Sequence, residues 1–427
     1  MRGHLLSIMF SIVSLMAFAQ QGPLYVYCGK YFDVDRARMA GPATVVVQGD
    51  TVLSVESGLV PVPEAAELID LREYYLLPGL IDLHVHIESE TGALRYLEPY
   101  VMEEADIAYR AQHYAGVTLR AGFTTVRDLG GTGVNASLRE AINQGLVEGP
   151  RIFTARKSIA VTGGHADPTN GAKEGLFKVP GPEHGVANGP AACRQAVRYQ
   201  YQQGADLIKI TATGGVLSVA KDGFRPAFTD EELEAIVGTA TDLGMSVAAH
   251  AHGDEGMRRA VRAGVKTIEH GTLMSEETMR LMIEKNAYLV PTITAGKAVA
   301  DSAQIPGYYP ELVRPKALFI GPKIQETFAR AYRLGVPIAF GTDAGVFKHG
   351  RNALEFAYMV EAGMPPVEAL LSATKTNAAL LGMDGKIGSI RPGAFADLIA
   401  VKTNPLEDIT ALQTVSWVMK GGVIYKN

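Results

Sequence analysis

The sequence is poor in cysteine and lacks any long run of positive charge. Cys28 and Cys193 are the two cysteines among its 427 residues, and neither has neighbours typical of a metal site. We therefore interpret both as small core residues, although an exported protein could form a disulfide and their pairing is left open. The formal net charge is −5 and no long basic run occurs. Nucleic-acid binding thus has no electrostatic support, and we expect no nucleic-acid partner.

Long hydrophobic runs are also absent after the N-terminus. The chain begins with the cationic Met1-Arg2, continues with an apolar stretch from Leu5 to Phe18, and then has the small-x-small pattern Ala17-Phe18-Ala19. This order is typical of a secretory signal peptide, and the stretch is short for a membrane span. We predict a signal peptide over residues 1–20, export to the periplasm or the exterior, and no stable membrane span after cleavage. An uncleaved anchor or a buried first helix is the alternative.

The two ends of the mature chain have the pattern of strands. Residues 24–77 contain short β-type runs such as Thr44-Val45-Val46-Val47-Gln48, with Gly49-Asp50 as a tight turn. Residues 396–402 and 413–425 are again rich in β-forming residues. We predict one small β-sandwich built from both ends, with residues 21–77 as its first part and residues 384–427 as its second.

The central segment, residues 78–383, alternates strand-like and helical patterns. Eight apolar runs are candidate strands, and they end at His86, Asp128, Ala155, Thr211, His250, His270, Thr292 and Asp343. Helices are predicted between them, for example over 229–243 with a capping box at Thr229 and Glu232, and over 275–285 with Ser275 as N-cap. Eight repeats favour an α/β fold of the (β/α)8 TIM-like barrel type over a doubly wound sheet.

The first barrel strand carries two histidines at adjacent positions on one face. Side chains at positions i and i+2 of a strand point to the same side, so His84 and His86 present two imidazoles to one place. Two imidazoles at the end of a barrel strand indicate a metal site.

Further potential metal ligands lie at the ends of later strands. These are Lys209 on the fourth strand, His250 on the fifth, His270 on the sixth and Asp343 on the eighth. His252 competes with His250 because both lie on one face if the strand continues; we choose His250 and place His252 at the rim or behind the ligands. Glu269, next to His270, should point away from the site if its strand is regular, and we interpret it as structural.

These motifs resemble those of the metal-dependent amidohydrolase superfamily, in its binuclear branch. The resemblance rests on Gly79-Leu80-Ile81-Asp82-Leu83-His84-Val85-His86, on Ile208-Lys209-Ile210, on Ala248-Ala249-His250-Ala251-His252, on Ile268-Glu269-His270-Gly271 and on Gly341-Thr342-Asp343-Ala344. Within the superfamily, the chain is similar to the prolidase-like group, which includes Xaa-Pro and Xaa-Arg/Lys dipeptidases, N-acyl amino acid hydrolases and ochratoxin-type amidases.

The resemblance implies two divalent metal ions, and zinc suits the mixed nitrogen and oxygen ligands, although manganese or cobalt would also fit. The implied ligands are His84, His86, Lys209, His250, His270 and Asp343. Lys209 would react with carbon dioxide to give a carbamate (N6-carboxylysine) that joins both ions. A hydroxide between the ions would attack the carbonyl, while Asp343 orients it and carries its proton to the leaving nitrogen.

A loop after the third strand completes the implied site. Thr162-Gly163-Gly164-His165-Ala166-Asp167-Pro168 resembles the Gly-His-x-Asp-Pro loop of prolidase-like enzymes, in which the histidine contacts the substrate, so we assign His165 a catalytic and substrate-binding role. A surface histidine is the alternative. The substrate carboxylate needs a cation or several donors, for which His165, Lys221 and Arg225 are candidates.

These implications predict a hydrolase acting on a small molecule or dipeptide. It would cleave a peptide or N-acyl amide bond next to a free carboxylate. The alternative is hydrolysis of a cyclic amide, of the hydantoin or dihydropyrimidine kind, or of a lactone at the same binuclear site. We also expect a homo-oligomer, by analogy with similar enzymes.

Overall fold

The computed structural model describes residues 22–221 and 223–427. The predicted signal peptide lies outside the described residues. Its cleavage and the export of the protein therefore stay predictions. In the described part of the chain, no helix combines the length and the apolar content needed to cross a membrane.

The strands of the described residues fall into an N-terminal group, a central group and a C-terminal group. They are β1 Leu24–Asp33, β2 Arg38–Ala40, β3 Ala43–Gln48, β4 Thr51–Ser57, β5 Glu67–Pro78, β6 Leu80–Val85, β7 Phe123–Asp128, β8 Arg151–Thr154, β9 Ile208–Thr211, β10 Val247–Ala251, β11 Thr267–His270, β12 Tyr288–Val290, β13 Leu398–Val401, β14 Trp417–Lys420 and β15 Val423–Lys426.

Helices separate the central strands, as the alternating pattern predicts. They are α1 Glu98–Val101, α2 Glu104–Arg120, α3 Val134–Asn143, α4 Gly189–Gln202, α5 Asp230–Asp242, α6 Asp254–Ala263, α7 Glu276–Lys285, α8 Ile293–Ser302, α9 Arg314–Leu334, α10 Leu354–Glu361, α11 Pro366–Leu371 and α12 Asn377–Leu380. The predicted capping box of α5 is confirmed, since Thr229 and Glu232 cap each other. Ser275 likewise caps α7 by accepting the N–H of Thr278.

The central strands form a parallel ring. Strands β6, β7 and β8 pair in that order, and β9, β10, β11 and β12 pair in a second series. Backbone hydrogen bonds close both gaps: Ile159 donates to the carbonyl of Lys209 at 2.8 Å, and Leu83 donates to the carbonyl of Phe340 at 3.0 Å. The predicted (β/α)8 fold class is therefore confirmed, with the apolar core between the ring and its helices.

The eighth barrel segment differs from the prediction of a regular strand. Residues 338–344 join the ring through single bridges, Leu289 with Ile338 and Val85 with Ala344. Asp343 has a φ of 63°, in the left-handed region that few residues other than glycine adopt. This conformation interrupts the ladder at the position where the carboxylate enters the barrel.

The two chain ends form one sheet, in the order β15-β14-β13-β5-β1-β3-β4, with β2 paired to β1. The ends meet where β13 pairs antiparallel with β5, Leu398 lying opposite Pro78. Its inward side chains, including Val26, Val45 and Trp417, form a core separate from that of the barrel. Cys28 lies in this core and Cys193 in the barrel core, so both are buried free thiols rather than disulfide partners.

Candidate metal centre and substrate cavity

The polar side chains predicted at the strand ends converge on one cavity of about 330 Å³. Its walls include all the predicted metal-ligand candidates and His165, together with His252. Strand alternation and the parallel direction of the ring bring them to the carboxyl ends of the strands, where barrel enzymes carry their chemistry.

The histidines of the first strand are held by hydrogen bonds through their Nδ1 atoms. His84 Nδ1 lies 2.8 Å from a carboxylate oxygen of Glu269, and His86 Nδ1 lies 2.6 Å from the carbonyl oxygen of Gly130. Since both partners are acceptors, the proton of each ring is placed on Nδ1. The two Nε2 atoms each lie 3.4 Å from Oδ1 of Asp343, with their lone pairs available to a metal.

A second group of histidines lies at the carboxyl ends of β10 and β11. One nitrogen from each of His250, His252 and His270 falls within 4.8 Å of the others. His270 Nδ1 and His252 Nδ1 each lie 2.7 Å from a threonine hydroxyl, of Thr292 and Thr272 respectively. His252 is therefore buried within the cluster and not at the rim. His250 Nε2 lies 3.1 Å from the carbonyl oxygen of Gly214, which leaves its Nδ1 for another contact.

Lys209 lies between the two groups. It is buried on β9, which pairs with the strand of His250, and its Nζ is 3.5 Å from Nε2 of His84. Burial is the main cause that lowers the pKa of Lys209, to about 8. Burial also raises the pKa of Asp343, and the positive charge of Lys209 opposes that effect.

The donor set fits divalent metal ions. Burial lowers the pKa of His84, His250 and His270 well below the ordinary value and that of His86 to about 4, so these imidazoles are neutral and can ligate. Oδ1 of Asp343 is buried without a hydrogen-bond partner in the described residues. Buried polar atoms normally have partners, so an orphaned carboxylate oxygen 3.4 Å from the Nε2 atoms of His84 and His86 is the arrangement that a cation completes.

The position of the Glu269 side chain contradicts the prediction that it points away from the site. Its carboxylate is fully buried and bridges His84 Nδ1 and the Nη2 of Arg127, the latter at 3.0 Å. The error has a physical cause: His270 has a φ of 71°, so the regular alternation ends there, and the two neighbours face one site. Glu269 thereby fixes the orientation of a candidate ligand.

His165 enters the cavity from the loop after the third strand, as the sequence predicts. Its ring stacks on that of His250 with centroids 4.4 Å apart, and its Nδ1 is buried without a partner in the described residues. A Cβ atom on Gly215 would lie 2.2 Å from this ring, so a glycine at position 215 is needed for the close approach.

Of the residues predicted to bind the substrate carboxylate, His165 lines the cavity and the two cationic candidates do not. Lys221 and Arg225 are exposed and do not line it, whereas Arg95 does. Arg95 lies in the segment between β6 and α1, and no motif in the sequence distinguishes it from other arginines. The structure alone brings it to the cavity.

The chain resembles known proteins over most of its length. A model of the amidohydrolase family matches residues 75–425. Ochratoxinase of Aspergillus niger is 33% identical over 369 residues, which are 82% of this chain and 75% of that protein. A solved Xaa-Pro dipeptidase with bound methionine in the active site is 50% identical, with a TM-score of 0.92 and coverage of 95% of this chain and 100% of that chain. A prolidase complexed with N-methylphosphonate-L-proline is 33% identical, with a TM-score of 0.86 and coverage of 95% and 100%.

The fold, the buried donor cluster and these similarities define a barrel hydrolase that acts on C–N bonds. The chain belongs to the amidohydrolase family, whose members generally use a divalent metal centre, and its histidine cluster fits such a centre. The resemblance to the prolidase-like and ochratoxin-type group is thus confirmed.

Proposed function

We propose that this protein hydrolyses a peptide or N-acyl amide bond next to a free carboxylate, using two divalent metal ions. The observation that carries the proposal is the orphaned Oδ1 of Asp343, which is buried and lies 3.4 Å from the Nε2 atoms of both His84 and His86. The prolidase-type and ochratoxinase relatives support the substrate class.

The chain's own residues would hold the ions in two adjoining groups. His84, His86 and Asp343 form one group, and His250 and His270 form the other, with Lys209 between them. When bound, such ions acidify water to a nucleophile near neutral pH and polarise the carbonyl of the substrate. Zinc is the ion that we favour for these nitrogen and oxygen donors.

Lys209 would serve this centre as a carbamate. The neutral amine attacks carbon dioxide, the new N–C bond forms, and a proton leaves, so that a buried cation becomes an anionic oxygen donor. The position of Nζ between the two histidine groups supports this role, and so does the cost of keeping an ammonium buried there.

Asp343 and His165 would handle protons and substrate. The carboxylate of Asp343 accepts a proton from the attacking water and returns it to the leaving nitrogen. His165 lines the cavity, has a buried Nδ1 without a partner in the described residues, and would hydrogen-bond the bound substrate. Its burial lowers its pKa to about 3, so it acts as a neutral donor or acceptor.

The substitution Asp343→Asn tests the proposal. Loss of the proton carrier should reduce turnover of a carboxy-terminal amide by about 10²- to 10⁴-fold while the far-ultraviolet circular dichroism is unchanged. Asp301→Asn, at an exposed position on α8, is the matched control. Full activity of the Asp343→Asn protein would show that another group carries the proton.

Hydrolysis of a cyclic amide or a lactone is the second outcome of the same assay. Hydantoins, dihydropyrimidines and lactones belong in the substrate panel beside Xaa-Pro, Xaa-Lys and Xaa-Phe dipeptides and N-acyl amino acids. Turnover confined to the cyclic substrates would reject the linear amide as the natural class.

The homo-oligomer expected from sequence stays a prediction, which light scattering can test.

A further inference from the structure

The charge distribution in the cavity is uneven. Among its lining residues that the structure describes, Arg95 and Lys209 are the lysine or arginine side chains, and Asp343 is the acidic one. Lys209 and Asp343 belong to the candidate metal centre. Arg95 is therefore the cation of the cavity wall that the metal centre does not use.

Arg95 is held in place but keeps donors for a ligand. Its Nη1 donates to the hydroxyl of Thr91 at 2.9 Å, and Thr91 donates in turn to the carbonyl of Gly345 at 3.0 Å. The hydroxyl of the next residue, Tyr96, donates to the carbonyl of Leu217, in the loop after β9, at 3.0 Å. None of the described carboxylates forms an ion pair with Arg95, so its remaining N–H groups can bind an anion in a bidentate manner.

Arg95 lies close to the reacting centre. It lines the same cavity as His86 and His165, and Thr91, which accepts its hydrogen bond, donates to the carbonyl of the residue two positions after Asp343. A carboxylate bound by Arg95 would therefore lie beside the histidines that surround the scissile bond.

Another part of the cavity wall is aliphatic. It is made by the loop after β9, by α8, by α9 and by the segment after Asp343, through Val216, Leu217, Val299, Ile320, Ile324 and Val346. No described acidic side chain stands among these residues to pair with a substrate cation. Burying an ammonium or guanidinium against such a wall is costly, whereas an apolar side chain gains from it.

We propose that Arg95 binds the free carboxylate of the substrate and that the aliphatic wall takes an uncharged, apolar side chain. The substrates are then dipeptides or N-acyl derivatives of apolar amino acids rather than of lysine or arginine. This inference rests on the proposed function, since it names the substrate class of the same site.

The test compares a free carboxylate with its amide. The metal-loaded enzyme is assayed with alanyl-leucine, alanyl-leucinamide and alanyl-lysine. We expect the wild type to prefer alanyl-leucine over both others by about 10- to 100-fold in kcat/KM, the range of one charge-assisted contact. In Arg95→Gln, kcat/KM for alanyl-leucine should fall by about the same factor while that for alanyl-leucinamide changes by less than about threefold. Arg95→Lys should recover part of the loss, because it keeps the charge without the fork.

Two control variants separate this role from a general effect of charge. Arg280→Gln removes an exposed arginine of α7. Lys221→Gln removes an exposed lysine of the loop after β9. Both should keep the wild-type preference for the acid. The proposal is overturned if Arg95→Gln lowers both substrates equally, if Lys221→Gln abolishes the preference, or if alanyl-lysine is cleaved as fast as alanyl-leucine.

A binding measurement distinguishes this proposal from the proposed function. Calorimetric titration of the metal-loaded protein with leucine and with leucinamide reports carboxylate recognition without turnover. Tighter binding of leucine that disappears in Arg95→Gln supports Arg95 even if no linear amide is cleaved. Equal affinity of the variant and the wild type for leucine refutes the role of Arg95 while leaving amide hydrolysis intact.

Discussion

Replacing Glu269 by glutamine should separate two roles of one buried carboxylate. Glu269 is fully buried, and its two oxygens face different partners, Nδ1 of His84 at 2.8 Å and Nη2 of Arg127 at 3.0 Å. Glutamine keeps the shape but not the charge. The Arg127 guanidinium, whose side chain is only 5% exposed, would then be left without its counter-ion.

The expected magnitudes follow from these contacts. Removing one partner of a buried ion pair costs about 3–5 kcal/mol of unfolding free energy. Removing the acceptor that orients a ligating histidine lowers metal affinity by about 10- to 100-fold. Urea unfolding of the metal-free protein measures the first effect, and competition with a chromophoric chelator measures the second. Glu234→Gln, on the exposed face of α5, is the control and should change neither quantity.

A second substitution distinguishes the two effects. Arg127→Met removes the guanidinium that the first change leaves unpaired, so the double variant should be more stable than Glu269→Gln alone. Its metal affinity should remain reduced, because His84 still lacks the carboxylate. The reasoning fails if the double variant is the least stable of the set, or if Glu269→Gln binds metal as tightly as the wild type.

Three further predictions concern the cavity wall, the start of α8 and the metal ions. Lys316→Met removes three hydrogen bonds that its Nζ donates to the carbonyls of Gly215, Ser218 and Ala220, in the loop after β9. Because this loop should then loosen, we expect KM to rise about 10-fold with kcat nearly unchanged. An equal loss in kcat would contradict this. Glu355→Gln weakens the hydrogen bonds that the carboxylate accepts from Ile293 and Thr294 at the start of α8. Urea unfolding should show that the free energy of unfolding falls by about 1.5–3 kcal/mol. An unchanged free energy of unfolding would show that Glu355 does not stabilise this helix end. Chelation should abolish turnover and lower the melting temperature, because bound ions stabilise the folded state, and an unchanged melting curve would argue against tightly held ions.

The sequence predicted those parts of the site that follow from strand alternation or from the shared direction of parallel strands. His84 and His86 share one face because side chains alternate along a strand, and Lys209, His250 and His270 follow because parallel strands end at one face of the ring. The caps of α5 and α7 were predictable because their signals are local.

The features that were missed depend on irregular backbone or on distant contacts. Glu269 was assigned outside the site because a regular strand would turn it away from His270, whose left-handed φ the sequence does not announce. Arg95 reaches the cavity through the path of a loop, for which sequence has no periodic signal. Strand β5, Glu67–Pro78, was not separated from the rest of its segment because charged residues interrupt its apolar pattern, yet it joins the two chain ends.

Metal content and amide turnover, measured on the same preparation before and after metal removal, test the central claim most directly. We predict about two divalent ions per chain, cleavage of a carboxy-terminal amide, loss of cleavage on chelation and recovery when the ions and bicarbonate are restored. Full cleavage by the metal-free protein would contradict the account, and so would a protein with both ions bound that cleaves only cyclic amides or lactones.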